Sequence, residues 1–146
     1  MKTLPGLLLA TALALAATTD ASAYHFSPRD VSAHLHGTLT FTPNEGGNPF
    51  ICRITFDLKT KIPLIKAVKF IKGDCVGVTF QGLPWLVDIT GPNSGLIGGG
   101  GFSSSSGNCV QGDSSFQDNK SGIWTLPAGQ CISGRLTSNP PTTIVK

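Results

Sequence analysis

The sequence predicts an all-β fold, a small disulfide-stapled antiparallel β-sandwich or barrel-like domain. Three observations carry that expectation. Residues 31–42 and 50–59 alternate apolar and polar side chains almost without a break, the period of an extended chain with one buried face. Gly, Ser, Thr, Pro and Asn fill the spaces between apolar runs, while helix-favouring residues are scarce. Four cysteines, at 52, 75, 109 and 131, form an even set in a chain that opens like an exported one.

Met1-Lys2 is a short basic region, Leu4 to Ala17 is almost wholly apolar, and Ala21-Ser22-Ala23 has the small-x-small form of a cleavage site. The apolar run is too short and too rich in small residues for a membrane span. No cysteine follows the cleavage site to accept a lipid. The expected division is a signal peptide, residues 1–23, then a single exported β domain, residues 24–146, secreted or periplasmic and with no transmembrane span. Without Lys2 and Asp20 the chain carries +3, from ten basic and seven acidic residues, and Glu45 is its one glutamate. Nucleic-acid partners call for a stronger and more clustered basic surface, so none is expected.

Four cysteines allow three connectivities. Cys52 and Cys75 are 23 residues apart, and Cys109 and Cys131 are 22 apart. Each interval holds two apolar runs around a polar turn, as a stapled hairpin would. The spacing favours Cys52–Cys75 and Cys109–Cys131, the other pairings staying open. Loops of that size contribute about 3 kcal/mol each in the chain-entropy description. Zinc held by four thiolates needs closely paired ligands, which these intervals lack, and no cofactor motif is present.

Taken in order, Tyr24 to Asp30 form a leading segment that Pro28 should keep out of a ladder. From Val31 to Thr42, Val31, Ala33, Leu35, Gly37, Leu39 and Phe41 face one side, with His34, His36 and the hydroxyl residues on the other. This is the pattern of a half-buried antiparallel strand. His34 and His36, at i and i+2, have the spacing to grip a metal ion with His25 as a third ligand, although solvated polar residues are the commoner meaning of such a pair. Pro43 to Pro49 is a dense turn signal. A second strand turns Phe50, Cys52, Ile54, Phe56 and Leu58 inward and Arg53, Thr55, Asp57 and Lys59 outward.

Residues 63–72 read in two ways. Pro63 and Gly73 would bracket a short amphipathic helix with Lys66, Lys69 and Lys72 in step. Yet about ten residues make a marginal helix, and Ile65, Val68, Phe70 and Ile71 favour extended chain. We read the segment as a bulged strand; a helix would present its basic face to a membrane surface or an acidic partner. Cys75 to Trp85, which follows the Gly73-Asp74 turn, holds a tether, a strand with Val76, Val78 and Phe80 on one face, and the rigid turn Gly82-Leu83-Pro84-Trp85. Leu86 to Thr90 is a brief strand ended by the turn at residues 91–95. Residues 98–107, glycines and serines around Phe102, read as a mobile loop or loose edge. Beyond it, a turn near Asp118-Asn119-Lys120 leads to Ile123–Leu126, and a last strand over 132–136 is broken by Asn139-Pro140-Pro141. The two cysteine intervals echo each other weakly, as two similar hairpins, one per sheet.

Chemistry is thin. No serine has glycines at the spacing of a nucleophile elbow, no two carboxylates stand out as a glycosidase pair, and paired cysteines leave no thiolate nucleophile. The glycine run at 98–101 lacks the Lys and the following helix of a phosphate-binding loop. Trp85 and Trp124 read first as core. The functional alternative is an exposed patch around Leu83, Pro84 and Trp85 with Phe102, suited to an apolar ligand or another protein.

The chain resembles the Pra-type alkane-oxidation activator family of small exported bacterial proteins. The likeness rests on the export signal, Cys52-Arg-Ile-Thr-Phe56, Val68-Lys-Phe70 before Gly73-Asp-Cys75, Gly82-Leu83-Pro84-Trp85, and Gly129-Gln-Cys131-Ile-Ser-Gly134. It spans about residues 35 to 137 and departs from the family's pattern in the lysine-rich 59–72 segment and the His34/His36 pair. The resemblance implies an exported, non-catalytic protein that promotes use of hydrocarbons, and it carries over no catalytic residue. Three classes follow: an accessory protein that contacts apolar small molecules or a hydrocarbon interface, or else a cell-surface protein; a structural or adhesive surface module that assembles through edge strands; and a hydrolase. Exposure of Trp85 and Trp124 would favour the first over the second, and a cleft joining a histidine to an aspartate would favour the third.

Overall fold

A computed structural model describes residues 24–45, 47–72, 75, 77–99, 101–110 and 113–146. The expected signal peptide, the Gly73-Asp74 turn and Val76 lie outside the described residues. Eight strands close into an antiparallel barrel: β2 (Ser32–Phe41), β3 (Phe50–Lys59), β4 (Leu64–Lys72), β6 (Trp85–Ile89), β7 (Ser94–Ile97), β10 (Ser114–Asp118), β11 (Ile123–Leu126) and β12 (Ile132–Asn139). Their order around the wall is β10-β11-β12-β2-β3-β4-β6-β7. Two small sheets complete the fold, β1 (His25–Ser27) with β13 (Thr143–Val145), and β5 (Thr79–Gln81) with β8 (Gly101–Ser104) and β9 (Gly107–Cys109). The described residues contain strands and no helix.

The alternation of 31–42 and 50–59 becomes the β2–β3 ladder, unbroken from Ser32↔Lys59 to Phe41↔Phe50. Ala33, Leu35, Leu39, Phe41, Cys52, Ile54, Phe56 and Leu58 are buried inside it. Gly37 falls at an inward position because β12 crosses closely there. A Cβ at Gly37 would lie 2.1 Å from the Arg135 carbonyl oxygen.

β4 is a strand with two irregularities against β3. Asp57 pairs with Ala67 and Leu58 with Ile65, so Lys66 is an extra residue; Arg53 pairs with Lys72 and Ile54 with Phe70, so Ile71 is another. Each bulge shifts the side-chain phase by one residue. The bulge at Lys66 lets Lys66 and Lys69, three residues apart, both be exposed on an extended chain. Around the seam β4 meets β6 over two residue pairs, Leu64↔Leu86 and Ile65↔Trp85.

One end of the barrel, where β2 stops and β3 and β12 start, carries the β5-β8-β9 sheet. Phe102 packs edge-on against Phe41 at 5.3 Å and Phe50 at 5.7 Å. Both disulfides serve this end: Cys52 in β3 bonds Cys75 on the way to β5, and Cys109 in β9 bonds Cys131 just before β12. The opposite end carries the β1-β13 sheet, where Phe26, Trp124 and Phe116 form a stack with centroids 5.2 and 4.3 Å apart. Asp118, its side chain fully buried, accepts from the Ile144 amide at 2.7 Å and the Lys120 amide at 3.1 Å, fastening β13 to β10.

Several segments differ from their sequence reading. The leading segment does enter a ladder, because β1 ends at Ser27, one residue before Pro28. Where a loose edge was expected over 98–107, residues 101–109 form a β8–β9 hairpin. β8 is paired on both sides, and Ser104 serves the turn, its hydroxyl donating to the Gly107 carbonyl and accepting from the Ser106 amide. The strand expected from Cys75 shrinks to Thr79–Gln81. β7 begins inside the expected 91–95 turn, and β13 follows the Pro140-Pro141 break. The hairpins enclosed by the two cysteine intervals, β3–β4 and β10–β11, share one barrel instead of occupying separate sheets.

Candidate functional site

Trp85 corrects the expected contact patch. It is 1% exposed, its ring edge-on to Phe56 and Phe80, and its Nε1 donates to the Gln81 carbonyl at 2.7 Å. A ring with three such partners is core, and so is Trp124, whose Nε1 donates to the Thr142 carbonyl at 3.1 Å, so neither tryptophan gives the exposure that would favour a hydrocarbon-contacting protein over a structural module. Phe102 is also fully buried. Leu83 and Pro84 remain exposed.

Because side chains alternate along β6, an inward Trp85 sends its neighbours outward. Leu86 is 64% exposed and stands opposite Leu64 of β4, half-buried on the same outer wall. The β3–β4 turn continues this surface: the Val87 amide donates to the Pro63 carbonyl at 3.0 Å, and Ile62 is 68% exposed. The barrel thus bears an aliphatic patch of Ile62, Leu64, Pro84 and Leu86, with Leu83 beside it. Lys61 and Lys66, both exposed, and Lys59, half-buried with its amine on the Ser32 hydroxyl, border it. The sequence offered a signal for Leu86, the parity of Trp85; Ile62 in a turn had none.

Next to the turn lies an open cleft of about 400 Å³ lined by His25, Arg29, Asp30, Thr60 and Lys61. It unites a histidine with an aspartate, the arrangement a hydrolase would require. Its one hydroxyl belongs to Thr60, which accepts from the Val31 amide at 3.0 Å and donates to the Val31 carbonyl at 3.2 Å. That hydroxyl closes the end of the β2–β3 ladder. A second cleft, of about 370 Å³, contains Asp113, Gln130 and Asn44 and no histidine. His34 and His36 are exposed on the outer wall, His34 opposite Asp57 and Asn139, His36 opposite Thr55 and Thr137. Among the described residues no three His, Cys, Asp or Glu side chains gather as metal ligands.

Fold and surface together define a class: a disulfide-tied antiparallel barrel around a hydrophobic core, with exposed aliphatic side chains on its outside. The chain belongs to the alkane oxidation protein activator family described as PraA/PraB-like, which it matches over residues 1–146. No curated protein and no solved structure matches it.

Proposed function

We propose that this chain is an exported, non-catalytic accessory protein that promotes hydrocarbon use by laying its outer aliphatic patch on apolar substrate or its interface with water. The observation that carries this reading is the joint exposure of Ile62 and Leu86 beside Leu64 and Pro84. Contiguous exposed aliphatics on the outside of a well-packed domain mark a contact surface. Ile54, Phe56, Ile65 and Trp85 are buried on the inner side of the barrel, and the exposed aliphatics lie on its outer wall, which favours the wall as the place for an apolar partner. Membership of the activator family supports an accessory role. The His25–Asp30 cleft gives the enzyme reading little support, since the Thr60 hydroxyl donates to a backbone carbonyl rather than to a base.

The test is partition of purified protein to a hexadecane–water interface. Full burial of an aliphatic side chain contributes about 1.5–3 kcal/mol. Ile62→Ser/Leu86→Ser should therefore weaken partition by about tenfold or more, while the melting temperature stays within a few degrees of wild type. Unchanged partition of the double variant would overturn the proposal.

A further inference from the structure

We infer that the β3–β4 face is built for hydrocarbon carrying a film of long-chain carboxylates rather than for bare hydrocarbon. This rests on the interface reading above and specifies its substrate.

Charge is segregated on this molecule. The hairpin from Phe50 to Lys72 holds six cations against Asp57 alone, a net +5, whereas the rest of residues 24–146 holds four cations and six acids, a net −2. With the bulge at Lys66, both Lys66 and Lys69 stand exposed on an extended chain, so part of the basic face once attached to a helix reading exists on a strand. Asp57, half-buried, is the one acid of the hairpin, and exposed Asp88 shares the outer face of β6 with Leu86. Lys61 and Lys66, both exposed, flank Ile62 and Leu64 along the chain, and the adjoining cleft sets Arg29 and Lys61 beside Asp30 and His25.

Ammonium groups beside aliphatics gain nothing from bare hydrocarbon, since approach to it costs them hydration. They gain where anions lie in the same plane as the apolar boundary. Duplex DNA offers anions without an apolar phase beneath them. A phospholipid film sets a headgroup layer of about 5–8 Å over its apolar phase, which short aliphatic side chains must cross before they meet hydrocarbon. A carboxylate film places a small anion directly on the hydrocarbon. That geometry fits short aliphatic side chains bordered by longer lysines.

The test compares hexadecane droplets that are bare, coated with sodium oleate, or coated with phosphatidylglycerol, using wild type and Lys61→Gln/Lys66→Gln. At about 20 mM salt, wild type should bind oleate-coated droplets most tightly, and the double variant should lose about 30-fold there. On bare droplets the double variant should bind at least as tightly as wild type, since it loses no favourable contact there. Raising salt to about 0.5 M should erase the preference of wild type for oleate. Equal binding of both proteins to oleate-coated droplets would overturn the inference, and so would equal wild-type binding to phosphatidylglycerol. Failure of wild type to bind bare droplets would instead sink the underlying interface reading. Lys146→Gln, which lies outside the hairpin, should behave as wild type.

Discussion

Trp85 fastens the core in two ways, by ring contacts with Phe56 and Phe80 and by an indole N–H held on the Gln81 carbonyl. Trp85→Ala should therefore cost about 3–5 kcal/mol in urea denaturation. Trp85→Phe, which keeps a ring and loses the N–H, should cost clearly less. Asp118 is the polar counterpart. Its two oxygens receive the Ile144 and Lys120 amides, and the Lys120 amine reaches round to the Pro92 and Ile144 carbonyls. Asp118→Ala would strand a buried amide donor, so we expect a loss of about 2–3 kcal/mol. Amide exchange at Ile144 should rise more than exchange in β2 or β3, which locates the damage.

At the scale of elements, the β5-β8-β9 sheet is held by aromatic packing and by the two disulfides. Replacing Cys109 and Cys131 by Ser should lower stability by about 3 kcal/mol, the value for a loop of this size. Exchange protection should fall first in β8 and β9. How far such elements were legible depended on whether their signal is local. β2, β3 and the bulged β4 declare themselves through their own side-chain order. β8 does not, because its serines resemble a linker and its order comes from ladders to residues 79–81 and 107–109. β13 is likewise fixed from outside, by pairing with β1 far back in the chain. The site was half legible: Leu83 and Pro84 are exposed, whereas Trp85 turned inward and transferred the surface to Leu86. Exposure of Ile62 follows from where a turn lands, which periodicity does not encode.

For the whole molecule, barrel and end sheets share one hydrophobic cluster that includes Phe26 at one end and Phe102 at the other. Thermal unfolding should therefore be a single cooperative transition, with coincident near-ultraviolet and far-ultraviolet curves. Two separated transitions would show that an end sheet melts independently. The segregation of charge gives the molecule a preferred orientation in a field, basic hairpin toward anions and the remaining wall away. An anionic droplet should thus meet the aliphatic patch more often than random tumbling allows.

The filled barrel has a consequence for dose. An eight-stranded barrel has room for its own side chains or for one small ligand, and here Ile54, Phe56, Ile65 and Trp85, all buried, are among the side chains that take up that room. A protein that meets hydrocarbon only with its outside titrates area, not moles. At fixed hydrocarbon mass, halving droplet diameter doubles the surface to be covered, and the protein needed for saturation should double with it. A hollow carrier of the same size would follow the amount of hydrocarbon and ignore how finely it is divided.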